Sequence, residues 1–500
     1  MNSLICTPIT ETEAAPFLAA MTEAEAVADA IELRLDYLTT DALPVVLHHL
    51  RERITRIGKP LVLTFRPREQ GGQRDVSLAE RQEFWRNLPP EIVAGLGFAD
   101  FELDLVESFA QAPPPVPWAK VICSWHNFAE TPATLTAQFE RMARTPAAVV
   151  KIATMANSIG DCLPLLDLIE RRADRPVIIL GMGLPGLLTR VLSVSRGALL
   201  TFGALRRGAE SAAGQPTVVE LRDLYRATAL SRASMILGII GNPVGHSRSP
   251  RMHNAALHAV GKEGVYLPFE VLDAAAFIRD FVRPATRQLD WQLRGLSVTI
   301  PHKLAVIPQL DFVDETARVI GAVNTLVVEG DQLHGYNTDC QGAMNPLDAL
   351  LDVRGARVAV IGAGGSARAI CHGLRQRGAD LTIYARNLDK AQPLADEFQT
   401  KLAALEQFAG QTDVVINCTP IGMHGHSEGQ TPLSADKLHG IKLVYDLIYT
   451  PQETALLRDA RAAGCQTLGG LAMLVGQAGE QFRLWTGSEA PLDVMWQAVG

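Results

Sequence analysis

The 500-residue sequence predicts an α/β protein of more than one domain. A (β/α)8 barrel fills the first half, and a doubly wound, dinucleotide-binding sheet lies in the second. Three observations carry this. Five hundred residues exceed what one hydrophobic core organises. Short β-rich runs recur eight times within the first 205 residues, with helix-length stretches between them. Later, an apolar run ends in Gly362-Ala363-Gly364-Gly365-Ser366-Ala367 and opens a helical pattern.

The eight runs are 4–6, 30–35, 61–65, 98–103, 119–124, 148–153, 177–180 and 199–203, with starts 21 to 37 residues apart. That spacing holds a helix and two short loops, such as the helical patterns at 135–143 and 162–171. An open doubly wound sheet shows the same alternation, and the count of eight favours the barrel. A last barrel helix is predicted at 218–229. Barrel chemistry belongs at the C-terminal strand ends, and the polar residues fall there. Glu32, Arg34 and Asp36 alternate along the second strand and share one side. Arg66 ends the third strand, Glu102 and Asp104 the fourth, and His126 follows the fifth. Lys151 sits inside an apolar sixth strand, where an unpaired charge is costly. Burial among cations favours its neutral amine, a nucleophile towards a ketone. A buried ion pair with Glu32 or Glu102 is the structural alternative. His126 beside such a lysine suits a general acid/base.

Past the barrel, Arg232–Met235 leads straight into a strand at 236–240, so the halves are joined by a few residues rather than a flexible tether. Gly241-Asn-Pro-Val-Gly-His-Ser247-Arg-Ser249-Pro250 is a hydroxyl-rich turn. Ser-Val-Thr299-Ile-Pro-His302-Lys303 ends a strand with a lysine. Gly321-Ala-Val-Asn324 and Gly335-Tyr-Asn337-Thr338-Asp339 set amides and a carboxylate near turns. Each alone reads equally as a cap or an Asx turn. The glycine turn at 362–367 lets backbone approach a pyrophosphate at a helix N-terminus. The next strand, 380–386, ends in Arg386-Asn387 where an NAD site would place a carboxylate. Arginine suits a 2′-phosphate, so NADP is the expected cofactor; Asp389 is the alternative reader of that position. Further buried strands are predicted from Asp413 and from Leu443.

Composition narrows the partners. Lys and Arg total 46 against 54 Asp and Glu, a formal charge of −8, so nucleic acid is not an expected partner. Seven cysteines without a C-x-x-C pair argue against a disulfide framework or zinc site and for reduced thiols in the cytoplasm. No apolar run reaches the roughly 18 residues of a membrane span, and Met1–Cys6 does not read as a leader. His48 and His49 read as solvated, His302 as structural, and the loop residues His424 and His426 as no metal site; no metal is expected.

Taken in order, several motifs resemble type I 3-dehydroquinate dehydratase over about residues 1–228. They are Glu32-Leu-Arg34-Leu-Asp36, Thr64-Phe-Arg66 with Gly71-Gly72, Ser124-Trp-His126-Asn127-Phe128, Val150-Lys151-Ile152, Thr189-Arg190 and Ser211-Ala-Ala-Gly-Gln215. The resemblance implies that Lys151 forms a Schiff base with the C3 ketone of 3-dehydroquinate. His126 then moves protons during syn loss of water, with no prosthetic group. Arg190 would clamp the substrate carboxylate, and Glu32, Arg34, Arg66, Ser211 and Gln215 would orient its hydroxyls and ketone end. Two departures stand out: Gln70 where the family carries Glu, and Asn127 where it carries Asp. A neutral Gln70 cannot raise the basicity of His126 as a carboxylate would.

Residues 234–500 resemble shikimate dehydrogenase, closing on Gly469-Gly470-Leu-Ala-Met473-Leu-Val-Gly-Gln477. That resemblance implies a catalytic pair, Lys303 and Asp339, exchanging a proton with the substrate oxygen during hydride transfer. Ser247 and Ser249 would take the carboxylate; Thr299, Asn324, Tyr449 and Gln477 would contact hydroxyls or enclose the ring. Gly362 to Ala367, Arg386, Asn387 and Gly470 would hold the nucleotide. The implied domains are 1–230, 234–340 completed by 471–500, and 341–470. The implied function is two consecutive steps, 3-dehydroquinate to 3-dehydroshikimate and then to shikimate. Two rivals remain at this point: quinate as the second half's substrate, and a non-catalytic sensor of the same acids.

Overall fold

The computed structural model describes residues 4–109, 112–171 and 175–500. Residues 1–3, part of the stretch read for a leader, lie outside the described residues. The chain forms two compact units. One comprises 1–235, 263–271 and 288–292; the other comprises 236–262, 272–287 and 293–500.

All eight predicted barrel strands are present: β1 (Leu4–Ile9), β2 (Ala30–Arg34), β3 (Leu61–Thr64), β4 (Phe98–Glu102), β5 (Val121–Asn127), β6 (Val149–Met155), β7 (Val177–Met182) and β8 (Leu200–Phe202). They run β7-β6-β5-β4-β3-β2-β1-β8, all pairs parallel. Where the two ends meet, the Leu199 N–H donates to the Val177 carbonyl at 2.8 Å, leaving a near-closed barrel.

The two-residue period of a strand sorts the interior into layers. Ala30, Val62, Ile122, Val149, Ile178 and Leu200 pack together as an apolar plug. Two residues further along, the same face carries Glu32, Thr64, Ser124, Lys151, Leu180 and Phe202. The charged layer lies directly above this plug, on the C-terminal side. Outside, the Leu135–Ala143 helix buries Leu135, Phe139 and Met142 at i, i+4 and i+7. One expectation is corrected: 218–229 is not a regular α-helix. A π-helical turn, Glu220–Leu224, closes with Tyr225 N–H on the Glu220 carbonyl at 2.9 Å. Arg226 then adopts a positive φ of 51°, which stops propagation before a short 3-10 turn at Ala227–Ala229.

In the second half lie β9 (Met235–Gly241), β10 (Gly264–Glu270), β11 (Gln292–Val298), β12 (Phe312–Val313), β13 (Thr325–Glu329) and β14 (Gln332–Tyr336). Within the second unit, β9, β11, β13, β14 and β12 neighbour one another in that order, with antiparallel β11–β13 and β13–β14 pairs. A separate all-parallel sheet follows: β15 (Arg357–Ile361), β16 (Asp380–Ala385), β17 (Lys401–Ala404), β18 (Val414–Asn417), β19 (Leu443–Asp446) and β20 (Gln466–Gly469). Its order is β17-β16-β15-β18-β19-β20, which is the Rossmann order. Val358 and Val360 enter one core while Ala359 and Ile361 enter the other, so β15 is buried on both faces. Two helices, Asp339–Asp348 and Gly470–Thr486, pack along each other between the sheets.

Candidate functional site

Glu32, Arg34, Arg66, His126 and Lys151, on the barrel strands or just past their ends, line one cavity with Arg190 from the Leu187–Leu192 helix and with Ser211 and Gln215 from the segment after β8. Lys151 Nζ donates to Asp100 Oδ2 at 2.7 Å and to Glu32 Oε1 at 3.3 Å. It also lies 4.4 Å from the centre of the Phe202 ring. Its direct partners are thus two carboxylates and an aromatic face, which corrects the expectation of burial among cations. Of the two carboxylates offered as its ion-pair partner, Glu32 pairs with Lys151 and Glu102 does not. Glu102 instead accepts from Arg66 at 3.2 Å and from Arg81 at 3.0 Å. Asp104 pairs with Arg81 and is half exposed, outside the cavity.

Asp100 is the residue that sequence reasoning missed. It stands two positions before Glu102 on β4, facing the same way, and the alternation that marked Glu32 and Arg34 was the available signal. Asp100 Oδ2 also accepts from Arg66 at 2.7 Å. Burial pushes this carboxyl up, but Arg66 and Lys151 overcome it and hold it well below the usual range. Glu32 behaves alike: burial opposes ionisation, and Lys151 and Arg34 prevail. Burial wins at Glu102, which is pushed up to about 7 against the pull of Arg66.

Arg34 is committed to Asp36 through two bonds, 2.7 and 3.0 Å, and to the Gly71 carbonyl at 3.0 Å. Arg190 is different. It is 2% exposed; among the described residues it touches no carboxylate, reaches only the Phe202 carbonyl at 3.4 Å, and its Nε has no partner. Burial alone lowers its pKa to about 10. Of the other cations lining the cavity, Arg34, Arg66 and Lys151 each have a carboxylate, so among the described residues Arg190 is the uncompensated guanidinium there, a receptor for an anion.

His126 Nε2 lies 3.0 Å from Arg66 Nη1. Guanidinium can only donate, so Nε2 accepts and the ring proton belongs on Nδ1, which has no partner. Burial first, then Arg66 and Lys151, keep the imidazole pKa well below its usual value. Gln70 Oε1 accepts the His126 backbone N–H at 3.1 Å, not the ring. Asn127 Oδ1 accepts from the Ala129 and Glu130 N–H groups and shapes the following turn.

In the second unit, Ser247, Ser249, Thr299, Lys303, Asn324, Asp339, Tyr449 and Gln477 line one cavity, joined by Ser366 and Gly470 from the nucleotide-side elements. Lys303 follows β11 in a turn, and Asp339 opens its helix. Lys303 Nζ donates to Asp339 Oδ2. Asn324 Nδ2 donates to Asp339 Oδ1 at 2.8 Å and to Thr338 Oγ1 at 3.0 Å, while its Oδ1 accepts from Thr325 and from the Thr338 N–H. Asn324 therefore holds the carboxylate that holds the lysine. Gln481 was not legible locally: it is a polar residue on a long helix, and only the fold sets it against Ser297, Asn324 and Thr325.

Gly362 to Ala367 follow the C-terminal end of β15, whose neighbours β16 and β18 make it the switch point of the Rossmann order; Arg386 and Asn387 follow β16, and Gly470 follows β20. Gly362 has φ 103°, a turn closed to other L-residues at low cost. A Cβ on Gly364 or Gly365 would meet nothing within 4 Å. The Gly365–Gln376 helix begins without a side-chain cap or an acidic first turn, so its N–H groups are open to an anion. Ala367 is buried beneath them. Arg386 is exposed just past β16, and Asn387 caps the next helix by accepting the Lys390 N–H at 2.9 Å.

Comparison with known proteins gives the following. Family profiles match in chain order: type I 3-dehydroquinase over residues 5–232, the shikimate dehydrogenase substrate binding domain over 239–326, shikimate/quinate 5-dehydrogenase over 347–424, and the shikimate 5′-dehydrogenase C-terminal domain over 470–499. A bifunctional 3-dehydroquinate dehydratase/shikimate dehydrogenase, chloroplastic, of Arabidopsis thaliana is 36% identical over 99% of this chain and 84% of its own. An NADP(+) shikimate dehydrogenase of Methanothermobacter thermautotrophicus is 40% identical over 53% of this chain and 95% of its own. A crystal structure of a shikimate dehydrogenase in complex with NADP+ aligns at TM-score 0.51 and 36% identity, covering 54% of this chain and 96% of that one.

Proposed function

Because this chain belongs to the family of bifunctional 3-dehydroquinate dehydratase/shikimate dehydrogenases, we propose that it dehydrates 3-dehydroquinate and reduces the resulting 3-dehydroshikimate to shikimate with NADPH. Residues 1–230 are assigned the first step. Residues 234–340 with 471–500 bind the second substrate, and 341–470 the nucleotide. One observation carries the reading of the barrel: a buried amine with a neutral imidazole stands in one cavity with a guanidinium that lacks an anion.

In the barrel, Arg190 takes the substrate carboxylate and gains the partner it lacks. Once its ammonium proton has passed to a base in the cavity, Lys151 Nζ attacks the C3 ketone; that proton leaves with the carbonyl oxygen as water, and the protonated imine that forms stabilises a carbanion at the adjacent carbon. His126 takes the proton there and returns one to the departing hydroxyl. Hydrolysis of the imine releases 3-dehydroshikimate and regenerates the amine. Asp100 and Glu32 stay ionised and aim Nζ, which makes them positioning residues.

In the second unit, Ser247 and Ser249 bind the carboxylate while Thr299, Tyr449 and Gln477 close around the hydroxyls. The glycine turn and the N-terminus of the Gly365–Gln376 helix take the pyrophosphate, and Arg386 the 2′-phosphate. Bound NADPH supplies the hydride. Lys303 gives its proton to the ketone oxygen, and Asp339, steadied by Asn324, keeps the ammonium in place. The acidic balance argues against nucleic acid as a partner, and seven cysteines without a C-x-x-C spacing support a cytoplasmic setting. No helix among the described residues is long and apolar enough to cross a membrane.

The test is NADPH oxidation by the full chain supplied with 3-dehydroquinate alone. Oxidation requires both sites. Its absence, with 3-dehydroshikimate still reduced, would confine the failure to the barrel; refusal of both compounds would leave the sensor or quinate reading. In the same assay, Arg386→Ala should weaken NADPH by about 10- to 100-fold and leave NADH nearly unchanged, because only NADPH has the phosphate. Equal weakening would remove Arg386 from that role.

The imidazole makes a pH prediction. The folded value of His126 lies well below about 6.5. Below that pH the unfolded chain binds a proton that the fold does not, so stability falls as pH drops. Dehydratase kcat/KM should likewise hold its plateau below pH 6.5. Gln70→Glu, placing a carboxylate against the His126 segment, should move the acid limb upward; an unmoved limb would show that the limb is not set by His126.

A further inference from the structure

The helix that carries Asp339 and the helix that carries Gln477 meet backbone to backbone. A Cβ on Gly342 would lie 2.5 Å from Gln477 N and 2.8 Å from its Cα. A Cβ on Gly476 would lie 2.9 Å from the Gly342 carbonyl oxygen and 3.1 Å from its Cα. Neither glycine is among those with positive φ. Space, not conformation, excludes a side chain here, in helix interiors where alanine is intrinsically better by about 1 kcal/mol.

The crossing lies within one turn of the proposed chemistry. Gly342 N–H bonds to the Thr338 carbonyl at 2.9 Å, three residues from Asp339, and the residue it abuts, Gln477, faces the cavity shared with Lys303 and Asp339. Along its outer turns the Gly470–Thr486 helix is pinned to the mixed sheet. Gln481 accepts from Ser297 Oγ at 2.7 Å and donates to Thr325 Oγ1 at 3.0 Å. Trp485 Nε1 donates to the Leu326 carbonyl at 2.9 Å. With that end held, the separation between the Asp339–Lys303 pair and the Gln477 amide is set at the glycine crossing.

Resting on the dehydrogenase reading above, we propose that Gly342, with Gly476 opposite, is a positioning residue for ketone reduction. By admitting close contact of the two helices, it holds the Gln477 side chain at the distance from Lys303 and Asp339 that the substrate spans. Gly342 itself touches no substrate.

The test is a double-mutant cycle in the full chain with Gly342→Ala, Gln477→Ala and both together. It reads kcat and KM for 3-dehydroshikimate, the NADPH dissociation constant and the dehydratase rate. A new methyl group must push the Gln477 backbone back by up to about 1 Å, a misplacement worth on the order of 100-fold. Gly342→Ala should lower kcat/KM for 3-dehydroshikimate by about 10- to 100-fold, chiefly through KM, with NADPH affinity and dehydration unchanged. The double variant should match Gln477→Ala within about threefold, because both changes act through one side chain. A loss that simply adds, or a Gly342→Ala effect below about threefold, overturns the proposal. If Gln477→Ala itself has no effect, the reading of the site fails and takes the proposal with it. Should Gly342→Ala lose NADPH binding, Gly476→Ala replaces it in the cycle: its milder approach should give a smaller loss, again absent from the double variant, and additivity there overturns the proposal equally.

Discussion

Borohydride added to the chain with 3-dehydroquinate is expected to leave one reduced adduct per chain, on Lys151, and Lys151→Arg is expected to abolish it. Among the described residues Lys151 is the one lysine lining the barrel cavity, and Asp100 and Glu32 aim its Nζ. Dehydration should fall about 10⁴-fold or more, the scale on which loss of a covalent nucleophile acts. Arginine is the informative substitution. It keeps a cation opposite two buried carboxylates, whereas Lys151→Ala would strand them at a cost of about 3–5 kcal/mol. Reduction of 3-dehydroshikimate should be unaffected in the same variant. An adduct on another residue, or dehydration that survives in Lys151→Arg, would defeat the Schiff-base mechanism.

Lys303→Ala should lower ketone reduction by about 10²- to 10⁴-fold, the range for removal of a general acid, while leaving dehydration and the borohydride adduct intact. Lys303 and Asp339 bond directly, and Asn324 fixes the far oxygen of the carboxylate at 2.8 Å. Asp339→Asn should fall within the same range, because Lys303 loses the charge of its carboxylate partner and one acceptor oxygen must then serve both Lys303 and Asn324. Asn324→Ala should cost less, since it acts only by steadying Asp339. Loss of both activities in Lys303→Ala would argue against two independent sites.

The barrel was readable because its periods are local. Eight β-rich runs, each followed by room for a helix, permit few architectures, and alternation along β2 placed Glu32 and Arg34 on one face before any fold was known. The glycine turn was readable for a similar reason: Gly362 needs its positive φ, and an apolar strand precedes it. The 218–229 segment misled because helical composition does not report a residue such as Arg226 turning left-handed.

Residue types and their order along the chain thus marked most groups of the two candidate sites, a lysine and histidine at barrel strand ends and a lysine and aspartate beside a dinucleotide turn, but not Asp100 or Gln481. How those groups are paired was decided by the packing of elements far apart in sequence. Asp100 reaches Lys151 across 51 positions, Glu102 turns to Arg66 and Arg81, and Arg190 is left without a carboxylate. Strand stagger fixes such partners, because it determines which side chains of one layer face each other across the barrel. Helix crossings do the same in the second unit, where Gly342 meets Gln477 and Gln481 meets Ser297 at separations that no local pattern encodes.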